Sequence, residues 1–297
     1  MIEIKNVTKR FGDFTAIENI NLTVEPSSIY GLVGYNGAGK TTLLKICSGI
    51  YKPEEGEVLL DSENVYDNGK KRAELFFVPD DVYFPRNATL EKMKKLYMGY
   101  YPSFDEKVYN NMRDALGLDE KKNIRSFSKG MQRQAIVILA MATRPKFLFL
   151  DEVFDGIDPQ KRSLCKKIFI EYMAETGCSM IMSSHNLIEL GDLCDKIALI
   201  NGKHLTMNVS VDDISAAYVK YRLVLKDAAD AEKLREIPNK GISGDGKLAT
   251  IIVSSDVGEE AFASLNPIHI DSIQLSLEEV FLNEMEDKDY DIAKIFS

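Results

Sequence analysis

Apolar and polar residues alternate over Met1–Val7 and again over Ile20–Val24, the period-two pattern of half-buried antiparallel strands. Ile29–Val33 is apolar and partly β-branched and predicts a strand; a helix opens over Thr42–Cys47. Gly56–Leu60 predicts a further strand, a polar stretch follows around Asn68–Arg72, and Phe76–Val78 predicts a short buried strand. Residues 88–125 predict helix, with Ser103 and Glu106 at the spacing of a capping box. Gln132–Thr143 predicts an apolar-rich helix closed by Pro145. Phe147–Leu150 shows no alternation, as expected of a central parallel strand buried on both faces. A helix over Pro159–Thr176, a strand over Ser179–Ser183, a helix over Asn186–Cys194 and a hairpin over Ile197–Leu205 turning at Asn201-Gly202 follow.

After residue 215 the pattern changes. Tyr221–Leu225, Thr250–Val253 and Ile268–Ile273 predict strands, with a weak one near Ile242, and Ala228–Arg235 and Val257–Leu265 predict helices. The order βαββαβ is compatible with a small ferredoxin-like module. Charge divides the chain at the same place. Residues 216–297 carry 9 Lys/Arg against 16 Asp/Glu, while residues 1–215 carry 28 against 30. The expectation is a domain over 1–215, with a helical subdomain near 86–140, and a small α+β accessory domain over 216–297.

Candidate chemistry enters at Gly34-Tyr35-Asn36-Gly37-Ala38-Gly39-Lys40-Thr41-Thr42, which fits G-x-x-x-x-G-K-[ST] between a predicted strand and a predicted helix. The glycines let the backbone turn tightly and aim its N–H groups inward, where they and the helix N-terminus cradle phosphates. Lys40 adds positive charge on the same phosphates and the Thr41 hydroxyl is placed for Mg²⁺. The chain is expected to bind a nucleoside triphosphate.

Asp151-Glu152 ends the buried run Phe147–Leu150, and in open α/β sheets ligands gather at strand C-terminal ends. Asp151 is placed to hold Mg²⁺ and Glu152 is a candidate base for the attacking water. Ser183-Ser184-His185 follows the next strand, so His185 could sense or polarise a γ-phosphate. Ser128 and Gly130 stand at the start of the apolar helix. There they could offer a hydroxyl and amides to an anion, although residue chemistry alone favours an ordinary N-cap by Ser128.

The order of P-loop, Ser-x-Gly helix start, Phe147–Glu152, Gly156-Ile157-Asp158 and strand-end His185 resembles the ATPase subunit of ABC transporters over residues 1–210. The resemblance implies an α/β P-loop NTPase fold with a mixed sheet core, an antiparallel β subdomain and a helical subdomain. It implies ATP and Mg²⁺ as cofactors, with Phe11 stacking on adenine and residues 34–42 on the phosphates. Ser128 and Gly130 would contact ATP bound by the opposite subunit, Asp158 would lie at the dimer interface, and His185 would be the switch histidine. Asp80, after Phe77-Val78-Pro79, falls where the family has Gln or Glu, and there it would reach for Mg²⁺ with one methylene less than Glu. The signature departs too, with Lys129 and Met131 inside Phe127-Ser128-Lys129-Gly130-Met131 where LSGGQ is usual, and Val153 replaces the usual proline. Ser276–Leu282 is similar to the closing segment of bacitracin-resistance-type exporters. By pattern alone it is an amphipathic terminal helix with Leu277, Val280 and Phe281 on one face.

Composition narrows the classes. A formal charge of -9 argues against a nucleic-acid-binding surface. The four cysteines form no C-x-x-C pair, which suggests buried apolar residues in a reducing cytosol, not a zinc site or a disulfide framework. The N-terminus enters a strand at once, which gives no sign of a signal peptide, and no apolar run approaches the ~20 residues that span a bilayer. A soluble subunit is expected, peripheral on the cytoplasmic face of the membrane. It would dimerise with a second ATPase subunit around two ATP and drive a separate permease of a bacterial exporter. The permease would dock on residues 86–125, where Tyr97, Tyr100, Tyr101 and Phe104 form either a docking surface or core. The alternatives are a non-transport ABC ATPase acting on DNA or ribosomes, and a regulatory module that binds ATP without hydrolysing it. One P-loop and no coiled-coil insertion weigh against the first; Glu152 with His185 weighs against the second.

Overall fold

The computed structural model describes residues 1–213, 218–274 and 279. Two compact units divide at Asn208/Val209; the boundary expected at residue 215 falls outside the described residues, as does Ser276–Leu282 apart from Glu279.

The first unit opens with β1 (Ile2–Phe11) and β2 (Phe14–Val24), paired antiparallel so that Ile2 faces Val24. After β3 (Ile29–Val33) and α1 (Lys40–Cys47), β4 (Glu55–Leu60) and the short β5 (Glu63–Asn64) complete a four-stranded sheet in the order β2-β1-β4-β5. Alternation works here as read from sequence. Ile2, Ile4, Ile20, Leu22 and Val24 are buried on one face, where they join Leu43, Leu44 and Ile46 of α1 in the core. Each such side chain, fully buried, is worth roughly 1.5–3 kcal/mol.

The second sheet carries the chemistry. A short helix α2 (Gly69–Ala73) precedes β6 (Leu75–Val78). The helical region then runs through α3 (Leu90–Tyr100), α4 (Glu106–Leu116), a 3₁₀ turn at Ile124–Ser126 and α5 (Lys129–Ala142). β7 (Phe147–Asp151), α6 (Pro159–Thr176), β8 (Ser179–Ser183), α7 (Leu187–Gly191), β9 (Lys196–Asn201) and β10 (His204–Ser210) follow. The sheet order is β10-β9-β3-β8-β7-β6, and β3, β9, β8, β7 and β6 pair in parallel. All five residues of β3, of β7 and of β8 are buried, which is why these runs show no alternation.

The capping box expected at Ser103 and Glu106 does not form. Asp105 caps α4 instead, its carboxylate accepting from Lys107 N (2.9 Å) and Val108 N (3.1 Å), while Ser103 Oγ donates to Thr143 O. An anionic acceptor at the positive end of a helix is favoured over a neutral hydroxyl. The aromatic cluster also divides. Tyr97 stacks on Tyr101 and on Phe76, Tyr101 meets Phe76 at a tilt, Phe104 packs on Tyr109, and Tyr100 is 73% exposed.

In the second unit β11 (Tyr218–Val224), β12 (Gly241–Asp245), β13 (Leu248–Ser254) and β14 (His269–Gln274) form a sheet in the order β12-β13-β11-β14. Its pairings are antiparallel. That is the strand order of a split βαβ module. The two segments expected as α-helices are 3₁₀, Ala228–Glu236 and Glu259–Leu265. The core packs Tyr221, Leu223, Ile251, Val253, Phe262 and Leu265. Among the described residues no helix is long and apolar enough to cross a membrane. All four cysteines are buried and unpaired, and burial raises their thiol pKa values, that of Cys165 to about 11.

Candidate nucleotide site

Four adjacent strands deliver the site at their C-terminal ends. The Gly34–Lys40 loop leaves β3, Asp151 ends β7 opposite Ser183 of β8, His185 follows β8, and Asp80 follows β6. A parallel sheet needs no further device to gather these residues, because every strand end points the same way.

The loop after β3 depends on glycine at its last turn. Gly39 has φ +104°, and a Cβ there would lie 2.3 Å from Ile17 Cγ2 and 2.8 Å from Ala16 O. It is also the N-cap of α1 and makes no side-chain cap. The first amides of α1 are therefore left to another acceptor. Lys40 Nζ donates to Gly34 O (2.7 Å) and Tyr35 O (3.3 Å). It is buried, and burial lowers its pKa, opposed by the charges of Glu152 and Asp151. A cavity of about 330 Å³ is lined by Phe11, Ala16, Lys40, Thr41, Asp80 and Glu152, with Asn36, Gly37 and Thr42 along the same wall.

Asp151 is 1% exposed. Its Oδ1 accepts from Ser183 Oγ at 2.6 Å, and its Oδ2 is buried without a protein partner. A buried carboxylate oxygen requires a partner, and a hard cation with oxygen ligands supplies one. Among the described residues no cluster of three or more His, Cys, Asp or Glu could hold a metal. Mg²⁺, which is bound by one or two protein oxygens plus substrate phosphates, fits the unpartnered Asp151 Oδ2.

Glu152 takes a left-handed backbone, φ +46°, costly for a residue with a Cβ. Its amide donates to Ser183 O (3.2 Å) and Ser183 Oγ (3.1 Å). The resulting turn aims the carboxylate back into the cavity. Oε2 lies 2.8 Å from His185 Nδ1 and Oε1 lies 3.9 Å from Lys40 Nζ.

Phe11 is 45% exposed, meets Tyr51 edge-on at 5.6 Å, and has Lys9 Nζ 5.3 Å from its ring centroid. Tyr35, within the phosphate loop read from the sequence, lines the same cavity, and so does Phe14, which was missed in the sequence; its exposure there is the signal, and sequence alone does not give exposure. Asp80 borders the cavity, but its carboxylate is paired with Arg133. The sequence reading of Asp80 as a Mg²⁺ ligand had no means of seeing this competitor. Ser128, Gly130 and Asp158 are not among the residues lining the cavity. Ser128 Oγ caps α5 by accepting from Met131 N (3.2 Å), and Asp158 caps α6 by accepting from Lys161 N (3.0 Å).

The chain is similar to known proteins in sequence and in fold. Residues 17–155 match the family model described as ABC transporter. ABC transporter ATP-binding protein YtrB of Bacillus subtilis is 27% identical over 285 residues, covering 95% of this chain and 97% of the relative. Bacitracin transport ATP-binding protein BcrA of Enterococcus faecalis is 31% identical over 247 residues, covering 80% and 78%. The dimeric post-hydrolysis structure of the ATP-binding cassette MJ0796, bound to ADP and Pi, superposes with a TM-score of 0.65 at 21% identity, over 71% of this chain and 99% of that one. With a phosphate loop, a buried Asp151 followed by Glu152 at one strand end and a histidine after the next strand gathered on this fold, the chain belongs to the ATP-binding proteins of ABC transporters and is an ATPase of a transport system.

Proposed function

We propose that the chain is the ATPase subunit of a bacterial exporter, working as a head-to-tail dimer around two ATP to drive a separate integral membrane permease. The carrying observation is that Lys40 and Glu152 line one cavity at the C-terminal edge of the parallel sheet, with His185 bonded to Glu152 and the buried Asp151 at the end of the same strand.

Lys40 and the amides of residues 36–42 bind the phosphates. The ammonium now shared between two carbonyls finds a stronger partner in an anionic phosphate. Thr41 and Asp151 would hold Mg²⁺, which would supply positive charge against the phosphates. Glu152 accepts a proton from the attacking water, and His185 orients the Glu152 carboxylate and polarises the γ-phosphate. Phe11 stacks on adenine. Ser128 and Gly130 complete the site of the opposing subunit, with Asp158 at the interface between the two. Closure has a driving force because the γ-phosphate contacts both subunits only when they are together. The chain acts at the cytoplasmic face of the membrane, and no role for nucleic acid is assigned.

A groove along α3, bordered by Arg72, Leu96, Tyr97, Tyr100 and Tyr101, supports permease docking. The transport reading is supported by likeness to a bacitracin transport ATP-binding protein, and export is proposed from the resemblance of Ser276–Leu282 to bacitracin-resistance-type exporters. Light scattering of Glu152→Gln with ATP and Mg²⁺ tests the dimer: a doubling of mass is expected, and a monomer at millimolar ATP overturns it. Pull-down of the same protein from solubilised native membranes tests the permease. A stoichiometric polytopic partner, lost on Leu96→Asp, is expected. Recovery of ribosomes or DNA factors instead would favour a non-transport role.

A further inference from the structure

One buried arginine ties together three segments of the site. Arg133 lies one turn into α5 and is 8% exposed, next to the buried Gln134 and ahead of the apolar run Ala135–Ala142. Its Nη1 donates to Glu152 O (2.6 Å) and Asp155 O (2.8 Å); its Nη2 donates to Asp80 O (3.0 Å) and pairs with the Asp80 carboxylate. The Asp155 carboxylate stands 3.4 Å from Nη1.

Burying a guanidinium is expensive unless every donor is used and its charge is matched. Here the Asp80 and Asp155 carboxylates stand beside the charge, and the two terminal nitrogens donate to three backbone carbonyls and the Asp80 carboxylate. A carbonyl is fixed by such a bond more than it is stabilised. Glu152 holds an unfavourable left-handed backbone, so its geometry has to be imposed from both sides of the residue. Ser183 holds the amide and Arg133 holds the carbonyl. Asp80 in turn keeps the fork aimed.

We propose that Arg133 is a positioning residue for Glu152, and that Asp80 acts through Arg133 as its counter-ion, not as a ligand of Mg²⁺. A displacement of the Asp80 segment would then reach Glu152 through a single side chain. This rests on the reading of Glu152 as the base. Arg133 carries no contact to the cavity, so its loss should spare nucleotide binding and impair chemistry, where a small misplacement costs up to about a hundredfold.

The test uses the full chain. Arg133→Met and Arg133→Lys should lower kcat at least tenfold with KM for ATP within twofold, because an ammonium cannot reproduce the fork. Asp80→Asn should lower kcat less, and adding it to Arg133→Met should cause no further loss, as for residues acting in series. Asp80 is half-exposed, so Asp80→Asn keeps the test open where an Arg133 variant fails to fold. Spin-resonance titration of Mn²⁺ into the ATP complex of Glu152→Gln should give the same affinity with and without Asp80→Asn. A severalfold weaker Mn²⁺ affinity, additive kcat losses, or Arg133→Met at wild-type kcat would each overturn the proposal. If instead wild type does not hydrolyse ATP, the underlying reading of Glu152 fails and not this one alone.

Discussion

His185 Nδ1 lies 2.8 Å from Glu152 Oε2, and the main-chain amide of His185 reaches the same oxygen at 3.3 Å. Glu152 is thus oriented by one residue through two bonds, while its other oxygen faces Lys40. A general base within reach of the reacting water contributes about 10²–10⁴-fold. Glu152→Gln keeps the shape and the hydrogen bonds but cannot take a proton. It should lower kcat at least about 100-fold and leave ATP affinity nearly unchanged. Turnover within tenfold of wild type, measured by phosphate release, would remove Glu152 from the base role.

Lys40 should make ATP binding sensitive to alkaline pH. Burial lowers its pKa below the ordinary 10.5, so the nucleotide-free protein loses this proton earlier than an exposed lysine does. The sign for folding follows: the unfolded chain holds the proton up to about 10.5, so this group adds stability as pH rises through the folded value. Phosphates favour the ammonium, so binding takes the proton up again and affinity falls over the same range. Titration of ATP binding from neutral to alkaline pH should show affinity declining with rising pH. Lys40→Arg, which keeps its proton throughout, should bind more weakly overall and show no such decline; a parallel decline would assign the effect elsewhere. Lys40→Ala should weaken ATP binding at every pH.

Gly130 has a structural duty apart from any nucleotide contact. A Cβ there would sit 2.1 Å from Gly156 O and 2.9 Å from Gly156 C, which are backbone atoms of the loop that Arg133 also grips. Ala gains up to about 1 kcal/mol of helix propensity over Gly, but overpacking against rigid backbone costs about 1–3 kcal/mol. The clash wins. Gly130→Ala should lower the thermal midpoint and abolish ATP-dependent dimerisation of Glu152→Gln. Gly99, within α3 with nothing within 4 Å, provides the contrast. Gly99→Ala should raise stability by about 0.5–1 kcal/mol, read from denaturant midpoints.

These residues also separate what sequence can reveal from what it cannot. β3 and β7 were readable as near-continuous apolar runs, as strands buried on both faces are, and β8 by Met180-Ile181-Met182 between two serines. Residues at their ends were readable because parallel strands present those ends together. Local competition was not. Asp105 displaced Ser103 as the cap of α4 because an anion outbids a hydroxyl there, and both spacings look sound on paper. In the second unit the strand positions were legible. The intervening segments form 3₁₀ turns, not α-helices, since a short amphipathic run fits either geometry. Arg133 left one clue, a charge inside an apolar helix, but its partners lie 53 residues upstream and 19 and 22 residues downstream. Only the fold brings them together.

Phe11 should set nucleotide affinity without setting base identity. Its ring borders the cavity nearly half-exposed, braced by Tyr51 and with Lys9 beside it. Stacking of a base on such a ring is worth about 1–3 kcal/mol and tolerates any base, because every base has a π-face. Phe11→Ala should therefore weaken ATP binding roughly tenfold, and GTP binding by the same factor, with kcat at saturation little changed. Phe11→Tyr should retain wild-type affinity. Phe14 lines the same cavity and is more exposed, at 59%, which makes it the competing platform. Fluorescence titration of the Phe11→Ala and Phe14→Ala proteins decides between them: a loss confined to Phe14→Ala would move the adenine to Phe14 and leave Phe11 as a brace for Tyr51.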